Sequence, residues 1–368
     1  MRYIPENSKE FEMSGIKRWH ELGYTGKSIK IANMEGTDPT LHFFNGKIKD
    51  PFNNVSGVGR NYHGHQTADI LHQVAPEADI YILSGAGSYG KNKAEGKFIE
   101  ESIPFMETEK IHLVNASLGG NTNDILKARI EKAKQVGVTF VNSAGNSAEK
   151  GATGFSKSGA WISVAAVHLS DNGKIMQATY SSIDEVIDFT QFSNLYIHDA
   201  RKGYENRVFA VQGTSFSSPM LCGMLALVQQ FFLERVGRTL YQDELYEFMK
   251  DYSIDLWEPG KDIKSGYGLF LLPNNPDTIN IQKYIRGDVI VDDPKNKTYK
   301  TIIPAQVIPP GHFVIPFRGL FEAENAEQID WGWDDNGKVF AEAILPPAKR
   351  RKIHVLEGSK DIVVETLE

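Results

Sequence analysis

Gly213-Thr214-Ser215-Phe216-Ser217-Ser218-Pro219 stands directly before a long apolar run in which Met220, Leu221, Met224, Leu225 and Val228 recur at helical spacing toward about Glu234. That periodicity predicts a buried helix opening near Ser215. Pro219 is expected in its first turn, where a missing N–H costs little. A serine at such a start sits among unpaired backbone N–H groups and the positive end of the helix dipole. Read alone, Ser215 serves equally well as an N-cap opening a core helix. Working outward, short apolar runs alternate with longer helical patterns between about Ser28 and Val167. Ile29–Met34, Asp79–Leu83, Ile111–Asn115, Val138–Asn142 and Ile162–Val167 read as strands, and Ile125–Val136 and Tyr241–Asp251 as amphipathic helices. Alternation of this kind implies a mostly parallel, doubly wound α/β sheet with helices on both faces.

Three further segments fall at the ends of these strands or at the helix starts after them, where open α/β sheets place their sites. His63-Gly64-His65-Gln66-Thr67-Ala68-Asp69-Ile70 leads into an apolar helical stretch. Histidine suits general-base work because it titrates near neutral pH. A surface histidine, or a metal pair at His63 and His65, is the alternative, and the chain shows no convincing set of further ligands. Asn142-Ser143-Ala144-Gly145-Asn146 ends a strand and offers an amide donor, or is simply an Asn/Gly turn. In Ala116-Ser117-Leu118-Gly119-Gly120 the paired glycines let another backbone approach closely.

Together these segments resemble the subtilase family of serine peptidases. GTSFSSP at 213–219 matches the family's serine motif and HGHQTADI at 63–70 approximates its histidine motif. SAGN at 143–146 matches its oxyanion asparagine and SLGG at 117–120 its substrate-edge segment. The similarity runs on through VAPEADIYIL at 74–83, the ISVAAV strand and SGYGLFLLP at 265–273, covering roughly residues 15–273. The resemblance implies a serine endopeptidase working through an acyl-enzyme. Ser215 is then the nucleophile, His63 the base, and Asn146 with the Ser215 N–H the oxyanion donors. Residues Ser117, Leu118, Gly119 and Gly120 would pair with the substrate, and Gly154 would lie near the pocket for the residue before the cleaved bond.

The family's acid motif, of the form Asp-Thr/Ser-Gly, is here Met34-Glu35-Gly36-Thr37-Asp38. Glu35 falls on the acid position, giving a Ser-His-Glu variant, and a glutamate can perform both tasks of a triad acid. Two alternatives stay open: Asp38 reaches the histidine instead, or the site has decayed into a pseudoenzyme that binds peptides or scaffolds an assembly. Only His72-Gln73 separates the histidine helix from Val74-Ala75-Pro76, which leaves no room for the calcium loop many family members carry there. Neither a metal nor a cofactor is therefore expected, and acidic pairs such as Asp292-Asp293 and Asp334-Asp335 read as turns. Tyr3-Ile4-Pro5 is similar to the short extension of intracellular subtilisins, which lies across the active site until removed.

The domain reading is an N-terminal extension at 1–20, a subtilisin-like domain at 21–275 and a β-rich accessory domain at 276–368. Phe313–Glu322 followed by Ile329-Asp330-Trp331 resembles the bacterial stalk domain also found at the N-terminus of copper amine oxidases, implying a binding or assembly module without a copper site. A formal charge of −7 gives no basic excess for nucleic acid, and the run Lys349-Arg350-Arg351-Lys352 reads as a solvated surface segment. The single cysteine, Cys222, allows no intrachain disulfide. With neither a signal-peptide core in MRYIPENSKEFEMSG nor a membrane-length apolar stretch, a soluble, cytoplasmic protein acting on peptide or protein substrates is expected.

Overall fold

The computed structural model describes residues 3–51, 63–83, 95–120, 122–152, 154–201, 204 and 207–285, and the backbone of six strands beyond them. The chain divides into two compact units, Met1–Phe231 with Thr239–Asn280, and Phe232–Arg238 with Ile281–Glu368.

The first unit is built on one sheet. Its strands are β1 (Lys30–Asn33), β2 (Ile48–Lys49), β3 (Asp79–Ile82), β4 (Leu113–Ala116), β5 (Thr139–Ser143), β6 (Ile162–Leu169), β7 (Ile175–Gln177), β8 (Phe189–Phe192), β11 (Ser253–Ile254) and β12 (Leu269–Phe270), while β9 (Leu195–His198) and β10 (Val208–Val211) form a separate hairpin. The order is β11-β12-β8-β6-β5-β4-β1-β3-β2, with β7 on the side of β6. All pairings are parallel except β11–β12 and β6–β7. The helices are α1 (Ser8–Met13), α2 (Ile16–Glu21), α3 (His63–Val74), α4 (Glu95–Thr108), α5 (Asp124–Gln135), α6 (Thr214–Val236) and α7 (Gln242–Asp251). The strands expected from the sequence are all present, as are the two amphipathic helices, with ends shifted by one or two residues.

Period-2 alternation splits each central strand between two faces. Ala32, Val114 and Phe140 join Ile103 and Met106 of α4 and Leu126 and Ile130 of α5 in one buried cluster. The opposite face carries Ile31, Leu113 and two buried asparagines, Asn33 and Asn115, which are Cα partners across β1 and β4. Those asparagines meet Thr67 of α3 and Ser218 of α6. The chain winds from β1 through α3 to β3 on one side, then crosses through α4 to β4 on the other. The strand order therefore reverses between β1 and β4, opening a crevice at their carboxyl ends.

Helix α6 is long and apolar enough to cross a membrane by length and composition, but 94% of that window is buried inside the protein, as befits a core helix. It begins at Thr214, so Pro219 is its sixth residue and lies beyond the first turn, contrary to the sequence expectation. A proline there has no N–H to offer the Ser215 carbonyl one turn back.

The N-terminal segment also departs from expectation. The Ile4 N–H and Asn7 Nδ2 donate to Gln73 Oε1, while Asn7 and Tyr196 exchange hydrogen bonds. Gln73 is ten residues along α3 from His63, about 15 Å at the helical rise. Tyr3–Asn7 thus lies at the far end of that helix rather than across its start. Next to it the fully buried carboxylate of Asp69 accepts the backbone N–H and the Nδ1–H of His198 at 2.6 and 3.0 Å, tying the β9–β10 hairpin to α3.

In the second unit α8 (Ile281–Tyr284) precedes β13 (Ile290–Val291), β14 (Lys300–Ile302), β15 (Gln328–Trp333), β16 (Val339–Leu345), β17 (Lys349–Val355) and β18 (Asp361–Leu367). They pair antiparallel in the order β13-β14-β18-β17-β16-β15, and the basic run 349–352 opens β17. Phe313–Glu322, Asp292-Asp293 and Asp334-Asp335 lie outside the described residues.

Burial pulls the His198 pKa down, but its hydrogen bond to Asp69 and the Asp69 charge outweigh this and hold it above the ordinary imidazole value. A raised folded-state pKa contributes stability that is complete below the unfolded value and is lost as pH rises through the folded one. Asp69→Asn should therefore lower stability by about 1–3 kcal/mol in mildly acidic buffer. It should also flatten the fall in stability between mildly acidic and mildly alkaline pH, as denaturant melts across that range will show.

Candidate active site

Each site residue is delivered by a strand end or a helix start. Glu35 follows β1, His63 is the first residue of α3, and Ser117–Gly120 follow β4. Asn146 follows β5, and Ser215 is the second residue of α6. Loops from three adjacent strands and the starts of two helices thus converge on the crevice between β1 and β4.

Glu35 is the acid that meets the histidine. Its Oε2 lies 2.5 Å from His63 Nδ1, with the two side chains 9% and 22% exposed. In that contact Nδ1–H donates to the carboxylate, and Nε2 is the ring nitrogen without a partner among the described residues. Asp38, the alternative acid, instead closes a local turn by accepting the N–H and hydroxyl of Thr40. Burial lowers the His63 pKa, but the charge and hydrogen bond of Glu35 prevail, so the imidazole titrates above its ordinary value. Glu35 Oε1 is buried and has no partner among the described residues.

The close approach of acid and base depends on Gly64. A Cβ added there would fall 2.2 Å from the Gly36 carbonyl oxygen and 2.8 Å from Glu35 Cβ. No side chain fits between the first turn of α3 and the acid loop. His65 Nε2 bonds the His198 carbonyl. Among the described residues no three His, Cys, Asp or Glu side chains form a metal-binding group.

Ser215 is half-buried, and its Oγ donates to the Ser117 carbonyl at 3.3 Å. No hydrogen bond joins it to His63 among the described residues, although the His63 ring lies 5.7 Å from that of neighbouring Phe216. At the helix start, the Thr214 N–H goes to Asn146 and the Phe216 N–H to the Gly213 carbonyl. The Ser215 N–H between them has no partner among the described residues. Asn146 Oδ1 accepts both the N–H and the hydroxyl of Thr214, at 2.9 and 3.0 Å. A backbone N–H only donates, so this end of the amide is the oxygen, and Nδ2 is the free end of an exposed side chain. The Ser215 N–H, at the positive end of a 23-residue helix, and Asn146 Nδ2, beside Thr214, are thus donors with no partner among the described residues.

The strip 117–120 and Gly154 come together. Gly154 has φ +59°, and a Cβ on it would stand 2.4 Å from Gly119 Cα. Asn142 fixes both sides, its Nδ2 donating to the Ala116 and Leu118 carbonyls and its Oδ1 accepting from Ser156. Sequence reasoning did not single out Asn33, Asn115, Asn142 or Thr214 for this supporting work. A legible signal was present in three of them, since β1, β4 and β5 each carry an asparagine at or next to their last residue.

The Glu35–His63 pair and the Ser215 helix start thus stand at strand ends and helix starts beside the switch point of a mostly parallel, doubly wound α/β sheet. Residues 34–268 match the subtilase family, and the chain belongs to that family. It is 26% identical over 236 residues to a thermostable alkaline protease of Halalkalibacterium halodurans, covering 61% of this chain and 63% of that protein's length. It is likewise 26% identical over 248 residues to the major intracellular serine protease of Bacillus subtilis, covering 61% of this chain and 75% of that one. Among solved structures, a lanthipeptide protease superposes with a TM-score of 0.60 at 18% identity, over 73% of this chain and 93% of that one, which is a likeness of fold.

Gly64→Ala should drive the Gly36 carbonyl and Glu35 away from His63. Although alanine favours a helix by about 1 kcal/mol over glycine, the displacement should reduce turnover about 10²-fold. Peptide-substrate kinetics beside thermal melts will separate the two effects.

Proposed function

We propose that the chain is a serine endopeptidase that hydrolyses peptide bonds through an acyl-enzyme, with Glu35 as the acid of its triad. The observation that carries this reading is the 2.5 Å contact between Glu35 and His63 Nδ1, in a chain whose family relatives include named proteases. In the proposed cycle Ser215 Oγ turns from the Ser117 carbonyl toward His63 Nε2 when substrate occupies the crevice, since catalytic hydrogen bonds often tighten only in the complex. His63 takes the hydroxyl proton as Oγ attacks the substrate carbonyl carbon, and Glu35 stabilises the imidazolium that forms. The Ser215 N–H and Asn146 Nδ2 hold the oxyanion. His63 then gives its proton to the leaving amine, and water repeats the sequence to release the acyl group. The strip 117–120 pairs with the extended substrate as a strand, with Gly154 beside the pocket for the residue preceding the cleaved bond. The C-terminal strands serve as an accessory binding or assembly module, and the cytoplasm is the proposed location.

One observation favours a second reading, a pseudoenzyme that binds peptides without cleaving them: the Ser215 hydroxyl is spent on Ser117 rather than on His63. Labelling by a fluorophosphonate separates the two, because a serine without an engaged base does not react.

Hydrolysis of a chromogenic peptide by the wild type should fall about 10⁶-fold in Ser215→Ala and about 10⁴-fold in Glu35→Ala. Glu35→Asp withdraws the carboxylate by one methylene and should lose roughly 10–100-fold. A wild type that neither labels nor hydrolyses would sink the peptidase reading.

The base must be neutral to accept a proton, so kcat/KM should rise as pH climbs through the His63 pKa. Because Glu35 raises that pKa, the acid limb should stand above the ordinary imidazole value of about 6.5. Glu35→Gln should move it to lower pH, a shift that a pH–rate profile of residual activity will reveal.

A further inference from the structure

Asn33 is fully buried, and its side chain reaches the backbone of both Glu35 and the residue after His63. Its Nδ2 lies 3.4 Å from the Glu35 carbonyl oxygen, 3.4 Å from the Gly64 carbonyl oxygen and 3.1 Å from Thr67 Oγ1. Carbonyl oxygens only accept, so this end of the carboxamide is the NH₂ group. The other end, Oδ1, accepts from Asn115 Nδ2 at 2.9 Å, which fixes the orientation of Asn115 in turn. Asn115 Oδ1 then accepts from Ser218 Oγ at 2.7 Å, and its Nδ2 also reaches Ser117 Oγ at 3.2 Å. One polarised chain results, running Ser218 to Asn115 to Asn33 to the carbonyls of Glu35 and Gly64. It begins in α6 one turn after Ser215, crosses the strand end that carries Ser117, and finishes on the residue bearing the acid and the residue beside the base.

Asn33, Asn115 and Ser218 are all fully buried. A buried amide with three neighbours of the correct polarity is costly to rearrange, since each lost bond leaves an unsatisfied group. Such a unit holds backbone more firmly than apolar packing, which has no directional preference.

We propose that Asn33 is a positioning residue of the site: through Asn115 it locks the backbones of Glu35 and Gly64 to α6, so that the long carboxylate arm of a glutamate arrives in line with His63 Nδ1. This rests on the assignment of Ser215, His63 and Glu35 as the triad. A glutamate has one more rotatable bond than an aspartate and needs a firmer base to point from. The two carbonyls that Asn33 grips belong to Glu35 itself and to Gly64, whose missing side chain makes the contact sterically allowed.

The test is to follow the His63 ring resonances by NMR through a pH titration in the wild type, Asn33→Leu, Asn33→Ser and Ser218→Ala. Peptide kinetics and thermal melts are measured on the same samples. Glu35 is the charged group that the described residues bring to His63, so the titration midpoint reports their contact without requiring turnover. In Asn33→Leu and Asn33→Ser the midpoint should fall toward the ordinary imidazole value. Turnover should fall about 10–100-fold with KM changing less, because Asn142 still holds the strip through the Ala116 and Leu118 carbonyls. Ser218→Ala should shift both in the same direction by less. Folded Asn33 variants that keep the wild-type midpoint and kcat overturn the proposal. If neither Asn33 variant folds, an unshifted midpoint in Ser218→Ala overturns it. A wild type that does not turn over while the midpoint still moves in the Asn33 variants removes the peptidase reading and leaves the positioning role standing.

Discussion

The crevice between β1 and β4 is the constraint from which the rest of the first unit follows. Parallel strands need crossovers, and a sheet that grows from its first strand in both directions must change sides once. Here that change falls between Lys30–Asn33 and Leu113–Ala116, and Asn33 and Asn115 are register partners across it. Everything chemical in the unit is hung on the loops that leave this edge. The faces of the same strands show why the edge is rigid. On one side Ala32, Val114 and Phe140 pack into an apolar cluster with α4 and α5. On the other, α3 and α6 are tied down by directed hydrogen bonds through two fully buried amides.

This division explains what could be read from the sequence and what could not. Strand and helix order was legible because apolar runs and the 3.6-residue period are local signals. Ser215, His63 and Asn146 stood out as candidates because each sits in a short pattern whose backbone requirements restrict its neighbours. Glu35 was legible by position alone, and only geometry separated it from Asp38, three residues on. Asn33 and Asn115 were passed over because a polar residue ending an apolar strand reads as the start of a turn. Their partner is each other, 82 residues apart, and no local pattern announces a pairing of that range. The placement of Pro219 failed for a smaller reason: the helix starts at Thr214, whose side chain and N–H are fixed by Asn146 and Gly145, and that anchorage is tertiary.

The N-terminal segment shows the same limit from another side. Similarity of Tyr3-Ile4-Pro5 to an inhibitory extension suggested a strap over the site, but Asn7 is a better guide to its position. Asn7 is 1% exposed and exchanges hydrogen bonds with the Tyr196 backbone as a strand neighbour would, while sharing Gln73 with the Ile4 N–H. A buried amide with satisfied partners at the far end of α3 fixes the chain more tightly than the apolar side chains around it. The segment therefore completes the packing behind the histidine helix, beside the Asp69–His198 pair that pins the β9–β10 hairpin to the same helix.

Glu35 Oε1 has no partner among the described residues, which bears on why a glutamate is tolerated at all. A buried carboxylate oxygen without a donor costs about 1–3 kcal/mol, and apolar replacement of the acid would relieve it. The cost is offset when His63 becomes an imidazolium, because the carboxylate then faces a full positive charge in a poorly solvated setting. Under the proposed mechanism that charge exists chiefly while the serine proton resides on the ring. A carboxylate with one oxygen lacking a donor among the described residues gains most when the ring is charged, which is the direction of bias that accelerates a reaction. The short contact to Nδ1 and the unpartnered oxygen are thus two faces of one arrangement, and the amide chain that holds the Glu35 backbone keeps the side chain from relaxing out of it.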